Sequence, residues 1–234
     1  NAPLAILVNK FSASASEILA GAIQDYDRGL VIGTETFGKG TVQRVDQLTS
    51  GQLKFTESKF YRVSGSSTQN EGVTPDISLP TIIDIDEVGE NQLPGALEHD
   101  NIPTTRYRDF GRIDPHLSEL KKKNKQRISQ SIFYQNLNKR KEWRELQQID
   151  WLELNLNKRK AIKDKTEKEL LALENSLRFQ MNLKTFSTYQ EFLDREDDPD
   201  KINFDKKEIK ETANILIDLI ESKNKTTIAS LEVG

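Results

Sequence analysis

The first thirty-three residues of this chain pass from strand to helix to strand with almost no intervening loop, which leaves few architectures open to it. Leu4 to Val8 is an apolar run of strand length. After a tight turn, Ala15 to Tyr26 carries Ile18, Leu19, Ala22 and Ile23 at the spacing of one helical face. Leu30 to Gly33 is a second apolar run directly behind that helix. Such alternation points to an α/β fold. Further strands are expected over Thr41 to Asp46 and over Leu53 to Val63, where Leu53 and Phe55 alternate with polar residues and Phe60-Tyr61 closes the run. Ser64 to Gly72 reads as a polar loop, and Ile77 to Leu79 as a last short strand.

The turn before the helix, Phe11-Ser-Ala-Ser-Ala-Ser-Glu-Ile18, sets Ser14 at a helix N-terminus. Unpaired N–H groups and the positive end of the helix dipole lie there, a place suited to stabilising an oxyanion, and Ala13 and Ala15 leave a substrate room. A serine hydroxyl attacks a carbonyl only with a base to take its proton. The two histidines, His99 and His116, both fall downstream in a segment of different composition. Lys39, within Thr36-Phe-Gly-Lys-Gly-Thr-Val-Gln43, is a candidate base. Lysine serves only when deprotonated, a state favoured by burial against apolar groups. Phe37 and the flanking glycines allow a sharp turn that sends the side chain inward, and Gln43 is placed to orient an amine without adding charge. Each part has a plainer reading. Ser12, Ser14 and Ser16 all suit helix capping. Gly-Lys-Gly is by itself a turn with a solvated lysine, and it lacks the spacing of a phosphate-binding loop.

Five blocks taken in order carry a family resemblance: Ala5-Ile-Leu-Val-Asn-Lys-Phe-Ser-Ala-Ser-Ala-Ser-Glu-Ile-Leu19, Gln24-Asp-Tyr26, Gly33-Thr-Glu-Thr-Phe-Gly-Lys-Gly-Thr-Val-Gln43, Lys59-Phe-Tyr-Arg-Val63 and Gly72-Val-Thr-Pro-Asp-Ile77. The chain resembles the carboxyl-terminal processing peptidases, most closely their tail-specific protease branch. The resemblance implies part of a crotonase/ClpP-like protease core of strands and helices, followed by a mainly helical C-terminal domain. It implies a serine endopeptidase that cleaves polypeptides chosen by their C-terminal tail, with Ser14 as nucleophile, Lys39 as base, Gln43 orienting the lysine and Asp25 in support. Asp25 also reads as a solvated residue at a charged helix end. The Ala15 N–H is the expected oxyanion donor in this segment. No metal or organic cofactor is implied. An upstream part is expected to hold the rest of the catalytic fold, a further oxyanion donor and a PDZ module that captures apolar C-termini. The implied setting is the bacterial periplasm or cell envelope, with an adaptor lipoprotein as a possible docking partner. A non-catalytic scaffold using the helical tail is the alternative.

Charge density roughly doubles after residue 82 while both parts stay slightly acidic, which marks a second region. The expected division is 1–82 for the catalytic part, 83–113 for a linker packing on it, and 114–234 for the helical domain. The linker is acidic and turn-rich over Asp84 to Ala96, and Asn101 to Tyr107 resembles the junction after the catalytic domain of the tail-specific branch. Asp114 as N-cap with Pro115 behind it starts a helix bearing Leu117 and Leu120, and helical sequence continues intermittently to about Gln147. Trp151 to Leu156, apolar at every second position, reads as a strand. Asp164 to Gln180 is helical again. In the last helix Asp205 and Glu208 form a capping pair, and Ile209, Ala213, Leu216, Ile217 and Ile220 form a stripe expected to bury against the earlier helices.

Composition adds bounds. With no cysteine there is no disulfide framework and no thiol chemistry. The formal net charge of −3 disfavours nucleic-acid binding, and Lys121–Lys123 and Lys139–Lys141 read as solvated helix faces. No apolar run reaches the length of a membrane span. His99, Asp100, Asp114 and His116 match no zinc spacing.

Overall fold

A parallel pairing sets the frame of the first part of the chain. The computed structural model describes residues 2–83, 87–111, 113–148 and 151–232. Strand β1 (Ala5–Val8) lies parallel to β2 (Leu30–Gly33), with Ala5 opposite Leu30 and Val8 opposite Gly33. Helix α1 (Ala15–Asp25) makes the crossover between them. β2 also pairs in parallel with β5 (Ile77–Ser78), giving the order β1-β2-β5. β2 is therefore central and wholly buried. Val8, Ala20, Val31 and Val73 form a core cluster with Ile6 against it. Strands β3 (Thr41–Gln47) and β4 (Gln52–Lys59) form a separate antiparallel hairpin with a register shift at Val42/Gln43, and Val42, Val45, Leu53 and Phe55 lie exposed on it. The fold is mixed α/β, as expected.

The chain divides into two compact units. The first comprises residues 1–79, 83–124 and 208–234, and the second 80–82 and 125–207. In the first, the segment after residue 97 runs beside the strand region through backbone bonds from Ser67 N–H to the Asp100 carbonyl, Ile102 N–H to the Gly65 carbonyl and Phe110 N–H to the Tyr26 carbonyl. The Asp27 carboxylate takes the buried Ile113 N–H at 3.1 Å. Of the linker sequence, Asp84 to Asp86 lies outside the described residues. The first unit also holds the start of α2 (Asp114–Gln130) and most of α6 (Phe204–Glu232), joined by Asn124 Nδ2 donating to Glu211 Oε1 at 2.9 Å and by an ion pair from Lys123 to Asp218 at 3.2 Å.

In the second unit, α3 (Ile132–Gln147) packs on α4 (Leu156–Gln180) through Phe133, Tyr134, Leu137 and Leu177. A short helix, α5 (Tyr189–Leu193), follows, with Phe192 buried. Polar groups sit under this surface too. Arg178, 1% exposed, pairs with Asp198 at 2.6 Å, lies over the Phe186 ring and donates to the Lys184 carbonyl, while Arg140 reaches Glu174 at 2.5 Å.

Several expectations need correction. The stretch from Trp151 to Asn155 is not a strand: among the described residues no strand pairs with it. Instead Asn155 Oδ1 accepts the Asn157 and Lys158 N–H groups and caps α4, which starts at Leu156 rather than Asp164. Helix α6 starts at Phe204, with Asn203 Oδ1 accepting the Lys206 N–H in place of the expected Asp205 cap. Its buried face is Glu211, Ile215, Asp218, Leu219 and Ser222, whereas Ile209 and Ile217 are more than half exposed. Polar pairing with α2 turns the helix away from the purely apolar stripe. In α1 the same occurs: Ile18 and Leu19 are exposed and Glu17, Ala20 and Gly21 face inward. β4 ends at Lys59, short of Val63. The polar loop at Ser64 to Gly72 is no surface connection, since Ser67, Thr68 and Gln69 are almost wholly buried.

Candidate active site

Ser14 stands between β1 and α1 with φ 56° and ψ −112°, a conformation that costs a non-glycine residue energy and must be held by its surroundings. Glu17 holds it. The carboxylate accepts the Ser14 N–H at 2.7 Å, one arm of a capping box. The Glu17 N–H in turn bonds to the Ser14 carbonyl at 2.9 Å. The neighbouring serines are occupied: Ser12 Oγ accepts the Asn9 N–H at 3.1 Å, and Ser16 Oγ donates to the Ala13 carbonyl at 2.8 Å. Ala15 begins the helix, so its N–H has no acceptor within it.

Lys39 lies in the loop between β2 and β3, half-buried, with Nζ 3.5 Å from Thr41 Oγ1. It makes no ion pair among the described residues. Lys10, the other lysine near this turn, is buried and paired with Glu35 at 2.8 Å. Two glycines shape the Lys39 loop. Gly38 has φ +94°, and a Cβ there would press on the Asn70 backbone. A Cβ on Gly40 would lie 2.6 Å from the Gln69 nitrogen and 2.8 Å from Ser67 Oγ. Gly40 N–H donates to Gln69 Oε1 at 2.9 Å, so the loop is fastened to the buried segment beside it. Gly40→Ala is expected to destabilise this unit by about 1–3 kcal/mol through overpacking. Hydrogen exchange at the amides of β2 and β3 checks it, and unchanged protection would refute the tight fit.

The turn and the loop meet at Glu17. Its Oε2 takes both the Ser14 N–H and the Lys39 N–H, the latter at 2.9 Å. Its Oε1 takes the Thr36 hydroxyl at 2.5 Å and the Gly38 N–H at 2.7 Å. The only mark of Glu17 in the sequence is the Ser14-x-x-Glu17 spacing of a capping box, which by itself predicts a helix start and no place in the site. Thr36, also buried, accepts the Val73 N–H at 2.7 Å.

Among the described residues, the side chains of the other two candidates make no hydrogen bond to Ser14, Glu17 or Lys39. Gln43 is exposed on β3 at the register shift, and the Lys39 amine bonds to Thr41 rather than to it. Asp25, near the end of α1, forms a two-pronged pair with Arg62 at 2.5 and 2.9 Å, and Arg62 also donates to Gln24 Oε1. Near them Asp76 accepts the Val31 N–H and a Gln24 amide N–H, and burial pushes its carboxyl up despite both bonds. His99 and His116 bond to the Gln69 carbonyl and to Ser222 respectively, and among the described residues no group of three or more His, Asp or Glu side chains is arranged to hold a metal.

Comparison with known families bears on this arrangement. Residues 1–79 match the family model of peptidase family S41, and residues 83–221, more than half of the chain, match that of the C-terminal domain of tail specific protease. The chain belongs to the tail-specific protease family. It is 43% identical over 177 residues to the tail-specific protease of Haemophilus influenzae, covering 70% of this chain and 26% of that protein. To the carboxy-terminal-processing protease of Bartonella bacilliformis it is 51% identical over 76 residues, covering 32% of this chain and 18% of that one. A solved photosystem II D1 C-terminal processing protease is 43% identical, with a TM-score of 0.32, over 36% of this chain and 22% of that one. The chain thus spans about a quarter or less of the length of these relatives. The match across residues 83–221 extends the family likeness into the charged helical region, where the sequence carries few motifs.

Proposed function

We propose that this chain supplies the nucleophile and base of a serine endopeptidase that cleaves polypeptides chosen by their C-terminal tail. The observation that carries the proposal is the tie between Ser14 and Lys39: the backbone N–H of each rests on one oxygen of a buried carboxylate. Ser14 is favoured over Ser12 and Ser16 as the attacking residue because its backbone shares the Glu17 carboxylate with Lys39.

In this reading neutral Lys39 takes the Ser14 Oγ proton as Oγ attacks the scissile carbonyl. The tetrahedral oxyanion draws on the Ala15 N–H and the helix dipole. Collapse expels the amine, which takes the proton back from Lys39, and leaves an acyl-enzyme on Ser14. A water activated by Lys39 then releases the acid. A lysine base must spend part of its time uncharged; among the described residues Lys39 Nζ makes no ion pair and lies 3.5 Å from the Thr41 hydroxyl. Gln43 is assigned the orientation of the Lys39 amine in the substrate-bound state. Asp25 is assigned a support role, holding α1 to the segment after β4 through Arg62. The polypeptide substrates, their apolar C-termini and a periplasmic or envelope setting are part of the same proposal, drawn from the family. Among the described residues no helix is long and apolar enough to cross a membrane. Lys123 is engaged by Glu119 and Asp218 and Arg140 by Glu174, which speaks against either basic cluster as a nucleic-acid surface.

The test is covalent labelling of the natural full-length protein with a fluorophosphonate, read by mass spectrometry. Modification on the peptide carrying Ser14, lost in Ser14→Ala together with cleavage of an unstructured polypeptide with an apolar C-terminus, is the expected result. Cleavage that survives Ser14→Ala would sink the assignment, and a protein that neither labels nor cleaves would favour a scaffold.

A further inference from the structure

Glu17 is wholly buried, yet its side chain hydrogen-bonds to both the nucleophile turn and the base loop. Four donors converge on it: the Ser14 and Lys39 N–H groups on Oε2, and the Thr36 hydroxyl and Gly38 N–H on Oε1. We infer that Glu17 is the positioning residue of the site, fixing the Ser14 turn and the Lys39 loop in a single relative placement. The inference rests on the Ser14/Lys39 reading above. With both oxygens occupied by protein donors, Glu17 is not free to exchange a proton with a substrate, so its action runs through the two backbone segments.

The donor set explains why the residue must be a carboxylate. An ionised carboxyl has two acceptor oxygens and no donor, whereas an amide has one acceptor oxygen and an NH2 group. Glutamine at this position would turn its NH2 towards one pair of donors, whichever way it flips. Either the Ser14 and Lys39 N–H groups or the Thr36 and Gly38 donors would lose their acceptor inside a closed site, a loss that is costly for buried polar groups. The strained Ser14 backbone, held through its N–H by this carboxylate, would be released first. A shift of about 1 Å between nucleophile and base is enough to cost roughly 10²-fold in rate.

The test uses the natural full-length protein with Glu17→Gln and Glu17→Asp. Glu17→Gln is expected to lower kcat on a peptide substrate by roughly 10²-fold and to slow fluorophosphonate labelling of Ser14 by a similar factor. KM should stay within about threefold, because substrate contacts are untouched. Glu17→Asp keeps two acceptor oxygens on a shorter stem and should retain more activity than Glu17→Gln. A space-filling role gives the opposite order, since glutamine keeps the volume and aspartate leaves a gap. Glu17→Gln at unmutated kcat, or more active than Glu17→Asp, overturns the inference. Loss of fold in both variants overturns it too, assigning Glu17 to stability alone; if only Glu17→Gln fails to fold, a lowered kcat in folded Glu17→Asp supports it. Absence of labelling in the unmutated protein, or labelling that persists in Ser14→Ala, instead removes the Ser14/Lys39 reading itself.

Discussion

Replacing Lys39 by alanine in the natural full-length protein is expected to lower kcat/KM by about 10⁴-fold, the upper range for loss of a general base acting on a serine nucleophile. Lys39→Arg should be as damaging, because a guanidinium cannot give up its proton near neutral pH. Nucleophile and base act as one unit, so the Ser14→Ala/Lys39→Ala double variant should be no slower than either single variant. Steady-state kinetics on a peptide substrate, with circular dichroism to verify folding, measure this. The structure supports the expectation in two ways. Lys39 Nζ lies 3.5 Å from the Thr41 hydroxyl and makes no ion pair among the described residues, and Lys10, another lysine near the turn, is committed to Glu35. Kinetics of Lys39→Ala within tenfold of the unmutated protein, or a double variant much slower than both singles, would remove Lys39 from the chemistry.

The largest stability effect is expected in the helical unit, at Arg178. Its side chain is buried, bonds to Asp198 at 2.6 Å and to the Lys184 carbonyl, lies 3.8 Å from Glu174 and stacks over Phe186. Arg178→Met keeps much of the stem but leaves Asp198 without its guanidinium in a closed site. Breaking a buried ion pair on one side costs about 3–5 kcal/mol. Lys141→Met, which removes an exposed 3.9 Å pair with Glu145, should change stability by no more than about 1 kcal/mol. Hydrogen exchange at the amides of α3 and α4 distinguishes the two, and equal small losses would mean that the buried network contributes little. The same network gives an acid limit. Burial would raise the Asp198 carboxyl, but the Arg178 guanidinium and the Asp200 N–H outweigh burial and hold it below the ordinary carboxylate range. A depressed folded value means stability that is complete above the ordinary carboxylate range and is lost as pH falls through the folded value. Protection in α4 should therefore fall at acid pH, and this part of the fall should be absent in Arg178→Met.

What the sequence determined by itself was local. The apolar runs at Leu4–Val8 and Leu30–Gly33 and the helix between them follow from periodicity, since a strand or helix is specified by neighbours a few residues away. The serine turn and the Gly-Lys-Gly loop were legible as motifs for the same reason. Which face each helix buries was decided by the tertiary structure. Apolar spacing favoured Ile18 and Leu19 in α1 and Ile209 and Ile217 in α6, yet the buried faces hold Glu17 in one and Glu211 and Asp218 in the other. A carboxylate counts as a surface residue until its donors are known, and those donors come from residues far along the chain: Thr36, Gly38 and Lys39 for Glu17, Asn124 for Glu211, Lys123 for Asp218. The Trp151–Leu156 alternation failed for a related reason, because a strand needs a partner that its own sequence cannot supply, while a single asparagine can start a helix unaided. Burial of an apolar side chain can be read from its own chemistry, but burial of a charge depends on what meets it, and only the folded chain brings Ser14 and Lys39 onto one carboxylate.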